Sequence, residues 1–353
     1  MISTFKTTAL LLLLLLAPAV LNSAQAEEYK KQVKKQFNVK ADATLKVVNQ
    51  YGKVHATTWD KNEITIDVEI IVESKSKEDG DEALKKIEVK FTESGNMVEA
   101  ITEIDLKSGK KQKCKNFEIN YTINLPKKHR FIVDNRFGDV FISELEGKAL
   151  LTVGYGTLTG KRLEHNDNEV NLAFSTGTID YLKKGKMKVK YSTLNINESE
   201  ELTSDLQFST VSIKKINALQ VTSKYDAIAI GEVDRITGEI KFTSLSADKL
   251  SSELKLGSQY GAIEVDDVAK DFKSIDIDTQ FAPIDLKFEK GVAFKLDATV
   301  NAGDISYPKG SPIKKTEISM MSSGFTGTIG EGSANALVTI KSKYGDVSLT
   351  YRQ

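Results

Sequence analysis

One cysteine, three histidines, one tryptophan and five prolines are scattered through 353 residues. A lone Cys114 excludes an internal disulfide framework. His55, His129 and His165 are too dispersed in sequence to propose an imidazole-ligated metal centre. Five prolines exclude a proline-rich linker. Charge of one sign is missing too: 49 Lys and Arg balance 49 Asp and Glu, which removes the bulk basicity that draws a protein to nucleic acid. The chain contains no phosphate-cradling Gly-x-x-x-x-Gly-Lys loop, no Gly-x-Ser-x-Gly elbow, no EF-hand and no calcium-binding nonapeptide. No cofactor, metal or nucleic-acid partner is expected.

What is present begins with an export pattern. Lys6 precedes an apolar run from Ala9 to Ala19 that includes Leu10 to Leu16, and Ala24-Gln25-Ala26 offers small residues at the two positions a signal peptidase reads. The run is short for a membrane span of about 20 residues. Residues 1–26 are therefore read as a signal peptide cleaved after Ala26. The mature chain is expected without a transmembrane span, in the periplasm, on the cell surface or outside the cell. Cys114 sits in the lysine-rich segment 107–115, where neighbouring ammonium groups favour a thiolate. With no partner His or Asp nearby in sequence, an incidental loop cysteine is the favoured reading.

A repeat fills most of the remainder. One phrase recurs: a polar residue, an aromatic, two small residues, then two apolar residues flanking a polar one. Lys190-Tyr191-Ser192-Thr193-Leu194-Asn195-Ile196 returns as Gln207-Phe208-Ser209-Thr210-Val211-Ser212-Ile213 and as Lys224-Tyr225-Asp226-Ala227-Ile228-Ala229-Ile230. From Phe137 to Phe281 the aromatics recur every 17 to 21 residues. Further copies start at Tyr51, at Asn301 (where the aromatic is lost), at Phe325 and at Tyr344. So short a fixed period is the mark of a solenoid, in which each coil covers its neighbour. Within a copy the period is two. Leu219, Val221, Ser223 and Tyr225 share parity, which predicts an inward row with the aromatics as core fillers and the small pair as the corner. The fold class expected is all-β: a right-handed parallel β-helix or β-solenoid with coils of about 17–21 residues. Residues 27–59 form the N-terminal entry and first coil, and 134–353 the repeats. Residues 60–133 break the period, with alternating strands and one or two helical turns near 81–87. They are read as an antiparallel β insertion or cap. The last copy, Tyr344 to Leu349, is expected to leave an open edge for end-to-end self-association.

These residues resemble the bacterial putative-adhesin family, an exported β-solenoid domain. The resemblance rests on Asn49-Gln50-Tyr51-Gly52-Lys53-Val54 with Trp59-Asp60, on Leu125-Pro126 leading to Asp134-Asn135-Arg136-Phe137-Gly138-Asp139-Val140, and on the recurrent aromatic-Gly coils. It implies a fold and a place at the cell envelope, and carries over no catalytic residue.

Two sets of polar residues are candidates for function. The residue before each aromatic makes a row of Lys190, Gln207, Lys224, Lys241, Gln259 and Gln280, a cation and amide ladder suited to an anionic envelope polymer. Such a row also keeps a sheet soluble. Carboxylates at Glu264, Asp276 and Asp285 mark an acidic patch of the kind a polysaccharide lyase or hydrolase would use, and a solvated outer face explains the same spacing. The leading expectation is an exported, non-enzymatic adhesin-like solenoid that binds an envelope glycan or protein. A carbohydrate-active β-helix enzyme and an envelope-stress signalling partner are the alternatives.

Overall fold

The computed structural model describes residues 26–105 and 116–352. Residues 1–25 of the expected signal peptide, and Cys114, lie outside them. The described chain is all-β apart from one short helix, and its strands form one long, mostly parallel, unclosed sheet. Pairing follows the sequence period. Lys190 is in register with Gln207, Gln207 with Lys224, and Lys224 with Lys241. Beyond the aromatic corner a second column runs Thr176, Thr193, Thr210, Ala227. Each parallel step adds about 4.8 Å.

Alternation, interrupted by the three-residue steps from Ile196 to Ser199 to Leu202, builds the core. Along Thr193–Gln207, Leu194, Ile196, Leu202 and Leu206 are buried while their sequence neighbours face out. Equivalent positions stack inward in successive rows, and full burial of each such side chain stabilises by about 1.5–3 kcal/mol.

The aromatics depart from the parity expected of them. Leu219, Val221 and Ser223 are buried, but Tyr225 is exposed and Asp226 takes the inward place. The cause is backbone geometry. Tyr51, Phe137, Tyr155, Phe174, Tyr191, Phe208, Tyr225, Phe242, Tyr260, Phe281, Ala302 and Tyr344 all have φ between 50° and 64°. One left-handed residue breaks the two-residue alternation, so the ring swings outward and the following small residue turns in. The aromatic is itself the corner. The inward position must be small: a Cβ on Gly138 would lie 2.0 Å from the Gly52 carbonyl oxygen. Where serine replaces glycine the register holds, because the hydroxyl serves the turn. Ser192 Oγ donates to the Lys190 carbonyl at 2.7 Å and accepts the Ser175 N–H at 3.0 Å.

At the N-terminal end, Thr44–Gln50 pairs in parallel with Arg130–Arg136 on one side and with Met97–Ile104 on the other. Val54–Trp59 likewise lies between Val140–Leu145 and Asn116–Pro126. Antiparallel pairings then close this end: Asn116–Pro126 with Glu63–Ser74, Glu63–Ser74 with Glu27–Asn38, and Ile87–Ser94 with Met97–Ile104. The helix spans Lys77–Lys85, earlier than the 81–87 pattern implied. Ser76 caps it by accepting the Asp79 N–H, with Glu78 and Asp79 in the first turn and Lys85 in the last.

The C-terminal end corrects two expectations. Ala336–Lys343 inserts between Ser274–Gln280 and Phe294–Asn301, parallel to both. Val347–Tyr351 inserts in the same way between Ile284–Phe288 and Ile305–Ser306. The strand Ala336–Lys343 is therefore internal, and Val347 and Ser348 are covered on both sides, so that in the last strand, among the described residues, only Leu349 to Tyr351 are paired on one side alone. The outermost strands of the described residues here are Ile305–Ser306 and Ile313–Ser319, the latter paired antiparallel with Ser322–Ile329 and carrying Lys314, Lys315 and Glu317. Charges of that kind blunt an edge against pairing. Phe325 is not a repeat corner, since it lies on the antiparallel Ser322–Ile329 strand with its ring buried.

Candidate binding face

The twelve left-handed corners fall on one line. Ten consecutive ring pairs, from Tyr51–Phe137 through Phe281–Tyr344, stack with centroids 4.7–5.0 Å apart and planes within 17° of parallel. Phe117 closes the N-terminal end edge-on against Tyr51 at 5.0 Å. Backbone pairing continues through the corners: Phe174 N–H donates to Lys190 O at 3.1 Å, Tyr191 to Gln207 O at 2.9 Å and Phe208 to Lys224 O at 3.1 Å.

In spatial order the rings alternate strictly, Tyr51, Phe137, Tyr155, Phe174, Tyr191, Phe208, Tyr225, Phe242, Tyr260, Phe281, Tyr344. Hydroxyls thus occur at every second rung. From Phe137 to Tyr344 each ring is 39–53% exposed. The faces are consumed by stacking, so what solvent meets is the ring edges, the electropositive side of the aromatic quadrupole. At ~90 Å² a ring, the ridge exposes on the order of 900 Å² of largely apolar surface, more than the few hundred typical of a monomer's largest patch.

Beside the ridge runs the cation and amide row. Lys190, Gln207, Lys224 and Lys241 are consecutive partners across the strands, and Gln259 pairs with Gln280, its Nε2 donating to Gln280 Oε1 at 3.4 Å. Lys224 Nζ sits 5.2 Å from the centre of the Tyr225 ring, so row and ridge adjoin. On the other side Thr176, Thr193 and Thr210 edge a shallow groove of about 550 Å³ along Phe174, Tyr191 and Phe208. On the row's side an open hollow of about 560 Å³ lies beside Tyr155 and Phe174. The period and the rows are legible in the sequence; the exposure of the rings is not, because parity assumes an extended backbone throughout.

The acidic residues divide between two places. Glu264 and Asp285 are cross-strand partners on the strands after the aromatic corner, and Lys287 lies 3.8 Å from Glu264 and 2.6 Å from Asp266. Those carboxylates hold the Lys287 ammonium above its ordinary pKa, chiefly through the Asp266 hydrogen bond. Asp276 belongs to the column before the corner, in register with Lys255 and 4.0 Å from its ammonium. The structure therefore separates Asp276 from the Glu264–Asp285 pair. No group of three His, Cys, Asp or Glu side chains fit to hold a metal ion occurs among the described residues. His55 faces outward and stacks on Phe141 at 4.4 Å, whereas His129 is buried with Nε2 2.5 Å from the Lys40 carbonyl oxygen.

No family model matches the chain, and no curated protein matches it. Solved structures similar to it include a putative cell adhesion protein from Clostridium sporogenes, at 12% identity over 92% of this chain and 100% of that one, with a TM-score of 0.20. A putative adhesin from Parabacteroides merdae matches at 11% identity over 90% and 96% of the two chains, with a TM-score of 0.28. A putative lipid binding protein from Parabacteroides distasonis matches at 12% identity over 70% and 93%, with a TM-score of 0.31. Likeness at these scores does not carry a function across. No helix among the described residues is long and apolar enough to cross a membrane.

Proposed function

We propose that this chain is an exported, non-enzymatic, adhesin-like β-solenoid of right-handed coils. Its aromatic ridge and the flanking rows dock on a component of the bacterial envelope. The observation that carries this reading is the ridge. Rings held outside the core in a left-handed backbone, which costs about 1–2 kcal/mol per residue, expose a continuous apolar strip with donors beside it. A corner needs no ring, since glycine or asparagine adopts the same backbone at less cost. The leader Lys6 to Ala26 supports export.

The test uses asparagine, which keeps the corner and removes the ring. Tyr155→Asn, Tyr191→Asn and Tyr225→Asn together are expected to abolish retention of the chain on isolated envelope fractions while its β-sheet circular dichroism persists. Undiminished retention overturns the docking role. N-terminal sequencing of the chain from its native envelope is expected to start at Glu27; a start at Met1 in a cytosolic fraction overturns export.

A further inference from the structure

Two positions of the cation and amide row carry no long side chain. Gly154 and Ala173 stand in register between Arg136 and Lys190, and the hollow of about 560 Å³ is the space they leave. Gly154 has no conformational reason to be glycine. Its backbone is not left-handed, and a Cβ there would meet nothing nearer than Arg136 Cγ at 3.7 Å. At Gly138 and Gly156, by contrast, a Cβ would strike backbone oxygens at 2.0 and 2.1 Å. A glycine inside a strand weakens it, and one that neither turn nor packing requires leaves room for the close approach of a ligand.

The lining states the chemistry of the occupant. Arg136, Lys188 and Lys190 border the hollow. Asp134 lies 3.6 Å from Arg136, and Asp205 is the cross-strand partner of Lys188. Neither Lys188 nor Lys190 has an ion-pair partner among the described residues. Three cations against two carboxylates leave about one positive charge. Thr152 and Asn171 supply a hydroxyl and an amide, with Asn171 Nδ2 donating to Thr152 Oγ1 at 3.4 Å, and Tyr155 and Phe174 form an apolar wall. The volume falls in the range of small-ligand sites, which pair apolar walls with a few fixed polar groups.

We infer that this hollow binds a carboxylated sugar unit of an acidic polysaccharide. The carboxylate meets the planar fork of Arg136 and the ammonium of Lys190, the ring hydroxyls meet Thr152 and Asn171, and the apolar ring face lies against Tyr155 and Phe174. Adjoining units extend along Gln207 and Lys224. The assignment deepens the envelope-docking reading and rests on it.

The experiment is calorimetric titration of the full chain, expressed with its own leader, with a galacturonic acid trisaccharide. Its methyl ester and a glycerol-phosphate polymer serve as comparisons, and envelope retention is measured in parallel. The acid is expected to bind at least tenfold more tightly than the ester and than the phosphate polymer. Gly154→Gln, whose Cβ would meet nothing nearer than 3.7 Å and whose side chain would enter the hollow, is expected to weaken it tenfold or more. Arg136→Gln, which places at that rung the residue Gln50 already carries on the neighbouring strand, is expected to do the same. Equal binding of acid and ester, preference for the phosphate polymer, or unchanged affinity in both variants overturns the inference. If the wild-type chain is retained on envelope but does not bind the trisaccharide, the sugar assignment fails and the docking reading stands; if it does neither, both fail.

Discussion

Tyr344 stacks on Phe281, with ring centroids 4.8 Å apart and planes 7° from parallel, although the corner at Ala302 lies between them in sequence. Spatial order and chain order part company here. The strand Ala336–Lys343 enters ahead of Phe294–Asn301, and the Tyr–Phe alternation is kept by the inserted tyrosine.

Removing residues 344–353 tests that order. Val347 and Leu349 are buried, and Val347 is paired on both sides, with Ile284 and with Ile305. Their loss is expected to open the middle of the C-terminal region, with limited proteolysis cutting between residues 281 and 343. A truncated chain as protease-resistant as the wild type would mean that these residues lie at an edge.

Ala302 continues the ladder without a ring. Its φ is 50°, and Asn301 accepts the Tyr344 N–H at 2.8 Å, the same bond that links the other rungs. Ala302→Phe is expected to add one stacked pair and raise unfolding stability by about 0.5–1.5 kcal/mol in urea titration.

Phe208 sits between Tyr191 at 5.0 Å and Tyr225 at 4.8 Å. Phe208→Ala removes two stacks and keeps the left-handed backbone, with an expected cost of about 2–3 kcal/mol. Phe208→Gly relieves the backbone and is expected to be about 1 kcal/mol more stable than the alanine variant. Equal stabilities for the two would show that the corner is not strained.

Asp226 stands where neighbouring rows place Ser209 and Thr243. It accepts the Ser209 N–H at 2.6 Å, the Lys224 N–H at 2.8 Å and the Ser223 hydroxyl at 2.6 Å. Burial raises its pKa above the usual carboxylate value, against the opposing effect of those donors. The folded chain therefore binds this proton more tightly than the unfolded chain. Stability from the group is full below the unfolded pKa and declines as pH rises through the folded one. Asp226→Ser is expected to gain stability relative to wild type at neutral pH and to lose that advantage in acid, measured by urea denaturation at several pH values.

His129 has the opposite sign. Burial lowers its pKa, while the Lys40 carbonyl and Asp42 act to raise it. The unfolded imidazole takes up a proton near about pH 6.5 and the folded one only at lower pH, so stability is full above that value and falls as pH drops. His129→Gln is expected to flatten this part of the pH–stability profile; an unchanged slope between pH 7 and 5 would exclude His129 as its source.

Much of the architecture can be read from the chain alone. The 17-residue spacing of Tyr191, Phe208 and Tyr225 dictates which residues pair, and the alternation of Leu194, Ile196 and their equivalents dictates the core face, because both are local properties of extended backbone. Lys190, Gln207, Lys224 and Lys241 form a row for the same reason. Tertiary structure alone decided three things. The rings face outward because one left-handed residue per row reverses parity, and hydrophobic periodicity does not register φ. Ala336–Tyr351 joins the middle of the sheet because strand pairing follows the fit of side chains across the core, not order along the chain. The hollow beside Tyr155 exists because Gly154 and Ala173, unremarkable in sequence, come into register between Arg136 and Lys190.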